Sequence, residues 1–237
     1  MKTATILEDT VIDLLQKISV MNDHNKIARP TEQQLWEELV ACILGSRVVF
    51  ETSYSAFKHL KKAGYTSLAN YKPSMPRWQK GMARELNRSL YLPLKLDGSR
   101  RKYPFPFLRS KHIVKTWKMI YGNENTLTQL VSEELESKEK RVNLINNACG
   151  IGPKQASLFL RNSILAEDVA ILDSHVLRYM IINKLAKPSL KAINSLSIYE
   201  RIEERLQRYA ESLRNKLSDL DLAIWITMRV YHGGIKA

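Results

Sequence analysis

Two residues of this chain, Lys154 and Asp173, have side chains and positions that suit nucleophilic catalysis. Lys154 directly follows Gly150-Ile151-Gly152-Pro153, and Asp173 lies 19 residues further along the chain. The dipole at the start of a helix disfavours a cation. The position therefore suits either an amine held uncharged for nucleophilic attack or a surface lysine that contacts a phosphate. The residues alone leave both interpretations of Lys154 open.

The glycines before Lys154 stand between two predicted amphipathic helices. The apolar pattern from Val142 to Ala148 predicts a first helix, and Pro153 suits the first position of a second helix. Gly150-Ile151-Gly152 then forms a tight hairpin, because glycine accepts positive φ angles and close backbone approach. The free backbone N–H groups of such a hairpin form an anion site. We interpret this helix–hairpin–helix arrangement as a binding site for the phosphate backbone of DNA.

Asp173 stands between the apolar stretch Val169–Leu172 and a helical pattern that begins at Ser174. This position is typical of a helix N-cap, which is a structural role, whereas a carboxylate beside a reacting centre has a catalytic one. His175 is interpreted as a core or supporting histidine, because no metal ligand has the right spacing around it. The sequence therefore predicts no metal site.

Net charge and cysteine content limit the kinds of partner and site that this protein can have. The 237 residues include 37 Lys and Arg against 24 Asp and Glu, and the net charge of +13 favours a partner with many phosphates. Cys42 and Cys149 are the only cysteines, which excludes a disulfide framework and a four-cysteine metal site and predicts buried thiols. We expect a cytoplasmic protein, since no apolar run approaches the roughly 18 residues of a membrane span and no signal peptide opens the chain.

The spacing of apolar residues predicts an all-α fold. These residues recur at helical intervals over Leu35–Leu44 and Ile198–Leu217, and only 9 Gly and 8 Pro interrupt the chain. Thr31, followed by a glutamine three residues later, predicts a capping box at the start of a helix. Residues 91–107 break the helical pattern with three prolines and an Asp-Gly pair, which predicts a short β-hairpin there.

One part of the chain resembles the helix-hairpin-helix DNA glycosylase superfamily. It comprises GIGPKQASLFLRN from Gly150 to Asn162 and AILDSH from Ala170 to His175. Within the superfamily it is most similar to the second, archaeal and bacterial, class of 8-oxoguanine DNA glycosylase/AP lyases. The resemblance implies that Lys154 is the nucleophile and that Asp173 is catalytic. It also implies that no cofactor is required and that hairpin carbonyl groups bind a monovalent cation.

Three further segments resemble this family. Leu35–Arg47 resembles the helix that borders the damaged base, and Phe105–Ile113 resembles a basic stretch before the central helices. Asp221–Trp225 resembles the final helix, whose tryptophan faces the flipped base. The resemblance thus implies that Asp221 and Trp225 belong to the base pocket. The residues predicted to contact DNA are Gly150, Ile151, Gly152, Arg47, Arg109 and Lys111.

The chain also departs from the family pattern in three places. Residues 71–106 and 187–220 are longer than the pattern, and the chain ends on Lys236-Ala237 where the family ends on a lysine near the base pocket. The departures leave the identity of the base open. The same chemistry on a glycosylated hydroxymethylcytosine in viral DNA, as an antiviral defence, is therefore an alternative.

The resemblance implies two helical lobes with the hairpin at their junction. The first lobe spans approximately residues 25–140, and the second combines residues 141–237 with 1–24. We expect a monomeric DNA glycosylase with AP lyase activity, associated with the nucleoid. It excises a base, with 8-oxoguanine favoured, that is flipped out of double-stranded DNA. A non-catalytic DNA-binding protein that uses the same hairpin is the second alternative.

Overall fold

The protein is all-α, as its apolar spacing predicts. The computed structural model describes residues 2–22, 29–70, 75–88, 90–163, 168–186, 193 and 195–234. These ranges contain a short 3-10 helix, Leu68–Asn70, and eleven α-helices: α1 (Lys2–Asn22), α2 (Glu32–Gly45), α3 (Phe50–Lys62), α4 (Met75–Leu86), α5 (Pro106–Tyr121), α6 (Leu127–Leu130), α7 (Ser137–Asn147), α8 (Pro153–Ser163), α9 (Ser174–Ile182), α10 (Leu196–Ser212) and α11 (Leu217–Gly234). No helix in these ranges is long and apolar enough to cross a membrane.

The chain divides into two compact units. The terminal unit contains residues 1–28 and 152–237, and the central unit contains residues 29–151. The chain passes from one unit to the other between Ile151 and Gly152, within the glycine hairpin. The boundary between the two lobes expected near residue 140 would divide α7. In the structure α7 belongs to the central unit, because it packs against α5 and α6.

The terminal unit is built around α11. Helices α1, α9 and α10 all pack against α11, and α8 packs against α10. Each of these faces is apolar because its hydrophobic residues recur three or four positions apart and so lie on one side of the helix. The buried side chains at the centre of this core include Val11, Leu15, Leu177, Met180, Leu206, Ala210, Ile224 and Met228.

The central unit contains α2 to α7, and α2 shows how local sequence fixes its elements. The predicted capping box is present: Thr31 Oγ1 accepts a hydrogen bond from the Gln34 amide at 3.3 Å, and Gln34 Oε1 accepts one from the Thr31 amide at 2.8 Å. Near the other end of α2, the buried Tyr103 phenol donates to the Leu44 carbonyl at 2.6 Å. Cys42 is buried within α2, whereas Cys149 is only half-buried.

Residues 91–107 form a hairpin-shaped loop in place of the predicted β-hairpin. Tyr91 and Arg101 exchange both backbone hydrogen bonds, at 3.0 and 2.9 Å, in a single antiparallel bridge. The turn lies at Gly98, which has a φ of +75°. No strand is present among the described residues, because the pairing does not extend beyond this one bridge.

Candidate active site

The glycine hairpin joins α7 to α8 as the sequence predicts. Ile151 is 7% exposed, and its amide donates to the Ala148 carbonyl at 3.4 Å. The Gly152 carbonyl accepts the first hydrogen bond of α8, from the Ala156 amide at 2.9 Å. The amides of the first turn of α8 have no helical acceptor, and Pro153 at the first position has no N–H to leave unsatisfied.

Gly150 is required by its backbone angle and by its close contact with α5. Its φ is +81°, and a Cβ added there would lie 2.4 Å from His112 Nδ1 and 3.0 Å from Arg109 Nη1. The Arg109 guanidinium donates to His112 Nδ1 at 3.2 Å, so this nitrogen is the unprotonated one. Burial, followed by the charges of Arg109 and Lys111, lowers the pKa of His112 and favours the same neutral form. His112 therefore packs against the hairpin. Thr116, four residues further along α5, lies on the same helix face and provides a second contact with the hairpin region.

The second contact is made by the Thr116 side chain. Thr116 is fully buried, and its Oγ1 accepts a hydrogen bond from the Cys149 amide at 2.8 Å. The sequence does not single out either His112 or Thr116. Their spacing of four on one helix face is the only local signal, and it does not indicate which backbone segment lies against that face.

Replacing Gly150 by alanine tests the close approach to α5. Gly98 is the matched control, because its φ is +75° but nothing lies within 4 Å of an added Cβ. Both substitutions strain a positive φ, whereas only Gly150→Ala also overlaps a neighbouring side chain. We expect Gly150→Ala to lower the free energy of unfolding by about 1 to 3 kcal/mol more than Gly98→Ala in urea titrations. Equal losses would show that the contact with His112 is dispensable.

Arg109, which the sequence predicts to contact DNA, is buried in the structure. Its side chain is 4% exposed, and Nη2 donates to the Ser46 carbonyl at 2.6 Å, just after the end of α2. The guanidinium also lies over the Phe105 ring, 5.6 Å from its centroid. These contacts and the one to His112 hold the guanidinium inside the central unit. A surface contact with phosphate is therefore the wrong role for Arg109, whose charge binds the end of α2.

The other two cationic candidates lie on the surface. Arg47 follows α2 with a φ of 61°, and its side chain is exposed. Lys111 lies on α5, two residues after Arg109, and is also exposed. Both side chains are accessible to a phosphate group, and their contacts with DNA remain predictions.

Lys154 is the second residue of α8, in the turn that directly follows the hairpin. Its side chain is half-buried, and both neighbours in the chain, Pro153 and Gln155, are buried. Buried neighbours fix the backbone from which the amine projects, while the half-buried side chain remains accessible. This placement suits an amine that must meet a substrate from a defined direction.

Asp173 has the structural role that its sequence position allows, and its catalytic role stays a prediction. Its Oδ1 accepts hydrogen bonds from the His175 and Val176 amides at 2.7 and 3.0 Å, so Asp173 is the N-cap of α9. Within the described part of the chain, Oδ2 receives no hydrogen bond. The side chain is half-buried and belongs to the same unit as Lys154. Capping through Oδ1 thus leaves Oδ2 available for chemistry.

Asp221 and Trp225 lie one turn apart on α11. Asp221 is 1% exposed, and its Oδ2 forms an ion pair with Nη1 of Arg161 on α8. Trp225 is half-buried, and the Arg229 guanidinium lies 4.9 Å from its ring centroid. The Asp221 carboxyl is therefore bound within the protein and ties α11 to α8. Contacts of either side chain with a base remain predictions.

The buried Asp221 carboxyl is expected to make stability depend on pH. Burial raises its pKa to about 7; the Arg161 guanidinium opposes this change, and the charge of Asp173 adds to it. Between the ordinary aspartate pKa of about 4 and this value, the folded chain holds a proton that the unfolded chain releases. The contribution of Asp221 to the free energy of unfolding therefore falls as the pH rises through this window.

The contribution of this one carboxyl has a limiting slope of about 1.4 kcal/mol per pH unit. Asp221→Asn lacks this carboxyl, so the unfolding free energy of the unmodified protein minus that of the variant is expected to fall as the pH rises from about 4 to about 7. Urea titrations of both proteins across this range measure the difference. Parallel curves would contradict the assignment.

Comparisons with known proteins place this geometry in a family. The family model described as 8-oxoguanine DNA glycosylase matches residues 78–215. An 8-oxoguanine DNA glycosylase/AP lyase of Sulfurisphaera tokodaii is 30% identical over 201 residues, which cover 84% of this chain and 85% of that protein. One from Fusobacterium nucleatum is also 30% identical, but over 118 residues, so the alignment spans about half of each protein, 49% and 54%.

A solved structure agrees with the sequence comparisons. The crystal structure of the 8-oxoguanine DNA glycosylase of Thermotoga maritima aligns with a TM-score of 0.66 and 28% identity over 94% of each chain. The matched family region includes the hairpin, Lys154 and Asp173. The resemblance seen in the hairpin segment is thereby confirmed, and the chain belongs to the 8-oxoguanine DNA glycosylase family.

Proposed function

We propose that this protein is a bifunctional DNA glycosylase and AP lyase that excises 8-oxoguanine from double-stranded DNA. The observation that carries the proposal is the position of Lys154 in the first turn of α8, directly after the glycine hairpin. Asp173 supports it, because its carboxylate belongs to the same unit and has an oxygen that the cap of α9 does not use.

The reaction proceeds through a covalent intermediate at the sugar. The neutral amine of Lys154 forms a bond to C1′ while the glycosidic bond breaks, and its electron pair leaves with the base, which takes up a proton. The nitrogen then loses a proton, and opening of the sugar ring gives a Schiff base. The Asp173 carboxylate stabilises the positive charge that develops at C1′ and helps to orient or deprotonate Lys154. Elimination of the 3′ phosphate completes the lyase step.

Further residues in each of the two units bind the DNA. The amides of Gly150-Ile151-Gly152 and of the first turn of α8 hold a backbone phosphate, because a helix N-terminus favours negative charge. Arg47 and Lys111 are the exposed cations that contact further phosphates. Trp225 stacks on the flipped base, which needs an aromatic surface once it has left the duplex.

A monovalent cation at the hairpin belongs to the same proposal. Backbone carbonyl oxygens suit such a hard ion, and the Ala148 carbonyl accepts a long hydrogen bond of 3.4 Å from Ile151, which leaves it able to coordinate a cation. The ion would strengthen the positive field that holds the phosphate. We further propose that the protein acts as a monomer in the cytoplasm, in association with the nucleoid.

Borohydride trapping on a panel of duplexes tests the proposal. The panel contains 8-oxoguanine, glycosylated hydroxymethylcytosine and undamaged DNA. We expect a reduced covalent adduct with the 8-oxoguanine duplex alone. Adducts with the modified cytosine alone would support the same chemistry on another base. Tight binding without any adduct would indicate a non-catalytic DNA-binding protein.

The final residues 235–237, where the chain departs from the family, lie outside the described residues.

A further inference from the structure

The segment that leads into Asp173 is buried but not helical. Residues 168–173 connect toward α9 without regular secondary structure, and the four residues Val169–Leu172 are each 8% exposed or less. A helix supplies hydrogen bonds to its own peptide groups, whereas a buried irregular segment must find partners elsewhere or lose stability. The partners of this segment therefore decide where its last residue, Asp173, lies.

Two side chains of α10 are among these partners, beside the Asp221 carboxylate of α11, which accepts from the Ile171 amide. The Tyr199 phenol is fully buried; it donates a hydrogen bond to the Ala170 carbonyl at 2.7 Å and accepts one from the Leu172 amide at 3.0 Å. Glu203, one turn further along α10, accepts a hydrogen bond from the Ala170 amide at 2.8 Å. Together they bind three backbone groups of the segment, at alternate residues, as a neighbouring strand would do.

The last of these contacts is adjacent to the catalytic carboxylate. Leu172 is joined directly to Asp173, whose amide donates to the Ile171 carbonyl at 2.6 Å. The Cα atoms of neighbouring residues are held about 3.8 Å apart, so a displacement of Leu172 also displaces Asp173 by a similar distance. A displacement of about 1 Å in a catalytic group can slow a reaction by about a hundredfold.

We infer that Tyr199 is a positioning residue for the reaction: its phenol holds the Ala170–Leu172 backbone so that the Asp173 carboxylate is aligned with the reacting carbon. This inference rests on the proposed function. Tyr199 acts through Asp173 and does not itself touch the substrate.

Tyr199→Phe is the direct test, because it removes the hydroxyl and keeps the ring in the core. We expect single-turnover excision to slow by about tenfold to a hundredfold, with DNA affinity within about twofold of the unmodified protein. Tyr209→Phe is the matched control on the same helix. Its hydroxyl forms hydrogen bonds with Glu8 and Tyr179 and none with the described segment 168–173, so excision should be unchanged.

A double-mutant cycle separates positioning from general destabilisation. If Tyr199 acts through Asp173, Tyr199→Phe should slow excision little further in an Asp173→Asn protein. An equal loss in both backgrounds, or a normal rate for Tyr199→Phe alone, would overturn the inference. Glu203→Ala provides a second variant should Tyr199→Phe fail to fold, and it should show the same dependence on Asp173.

Hydrogen exchange provides a readout that needs no enzyme activity. In DNA-free protein, Tyr199→Phe removes the acceptor of the Leu172 amide, so exchange in the 168–173 segment should accelerate, whereas Tyr209→Phe should leave it unchanged. If the unmodified protein excises no base, the proposed function fails, while exchange still decides separately whether the Tyr199 phenol holds the Ala170–Leu172 backbone. Unchanged exchange in Tyr199→Phe would overturn it.

Discussion

Replacing Lys154 by glutamine is expected to abolish the borohydride-trapped adduct while DNA affinity stays within several-fold. The amide of glutamine cannot form a Schiff base, so the covalent intermediate is lost. Affinity is expected to change little because one lysine is a small part of the electrostatic attraction between DNA and a chain of net charge +13. Trapping with an 8-oxoguanine duplex and a titration with the same DNA measure the two effects.

Lys17→Gln is the matched control for the loss of charge. Lys17 lies on the exposed side of α1 in the same unit, and its replacement removes the same single charge. We expect this variant to form the adduct normally. An adduct formed by Lys154→Gln would show that another amine is the nucleophile, and Lys154 would then be the phosphate contact that its position also allows.

Asp173→Asn is expected to slow base excision by about a hundredfold or more, with little change in stability. Asparagine is as good an N-cap as aspartate, so its side-chain oxygen can still accept from the His175 and Val176 amides. The substitution removes the negative charge that, in the proposed reaction, stabilises C1′ and assists Lys154. Single-turnover excision and thermal unfolding measure the two effects separately.

Asp13→Asn is the control for this experiment. Asp13 lies on the exposed side of α1 in the same unit, away from the segment that leads into Asp173 in the sequence. The chemical change is identical, so excision should remain normal. Near-normal turnover by a folded Asp173→Asn protein would leave Asp173 with the role of a cap alone.

The local features of this protein follow from short-range spacing. The apolar residues of α2 recur every three or four positions, and Thr31 and Gln34 stand at the spacing of a capping box. Gly150 likewise stands where the backbone needs a positive φ. These patterns depend on contacts within one or two helical turns, which is why the all-α fold and the hairpin before Lys154 are predictable without coordinates.

The β-hairpin expected in residues 91–107 shows where short-range spacing misleads. The turn at Gly98 forms, but the residues on either side pair at Tyr91 and Arg101 only. The next hydrogen-bonded pair of the ladder would join Pro93 and Ser99, two residues further along each side. Proline has no backbone N–H to donate, so the ladder does not continue through Pro93.

Local sequence patterns are enough to predict the helices, the glycine hairpin and the positions of Lys154 and Asp173 at helix starts. Tertiary structure alone decided that Arg109 is buried against Ser46, 63 residues away, and that Asp221 pairs with Arg161, 60 residues away. The type of a charged residue does not reveal whether it meets water or a partner, because the cost of burial depends on groups that only the fold brings near. The sequence also gives no sign that Tyr199 differs from an ordinary core tyrosine. Its hydrogen bonds with Ala170 and Leu172 arise only because the fold places this segment against α10.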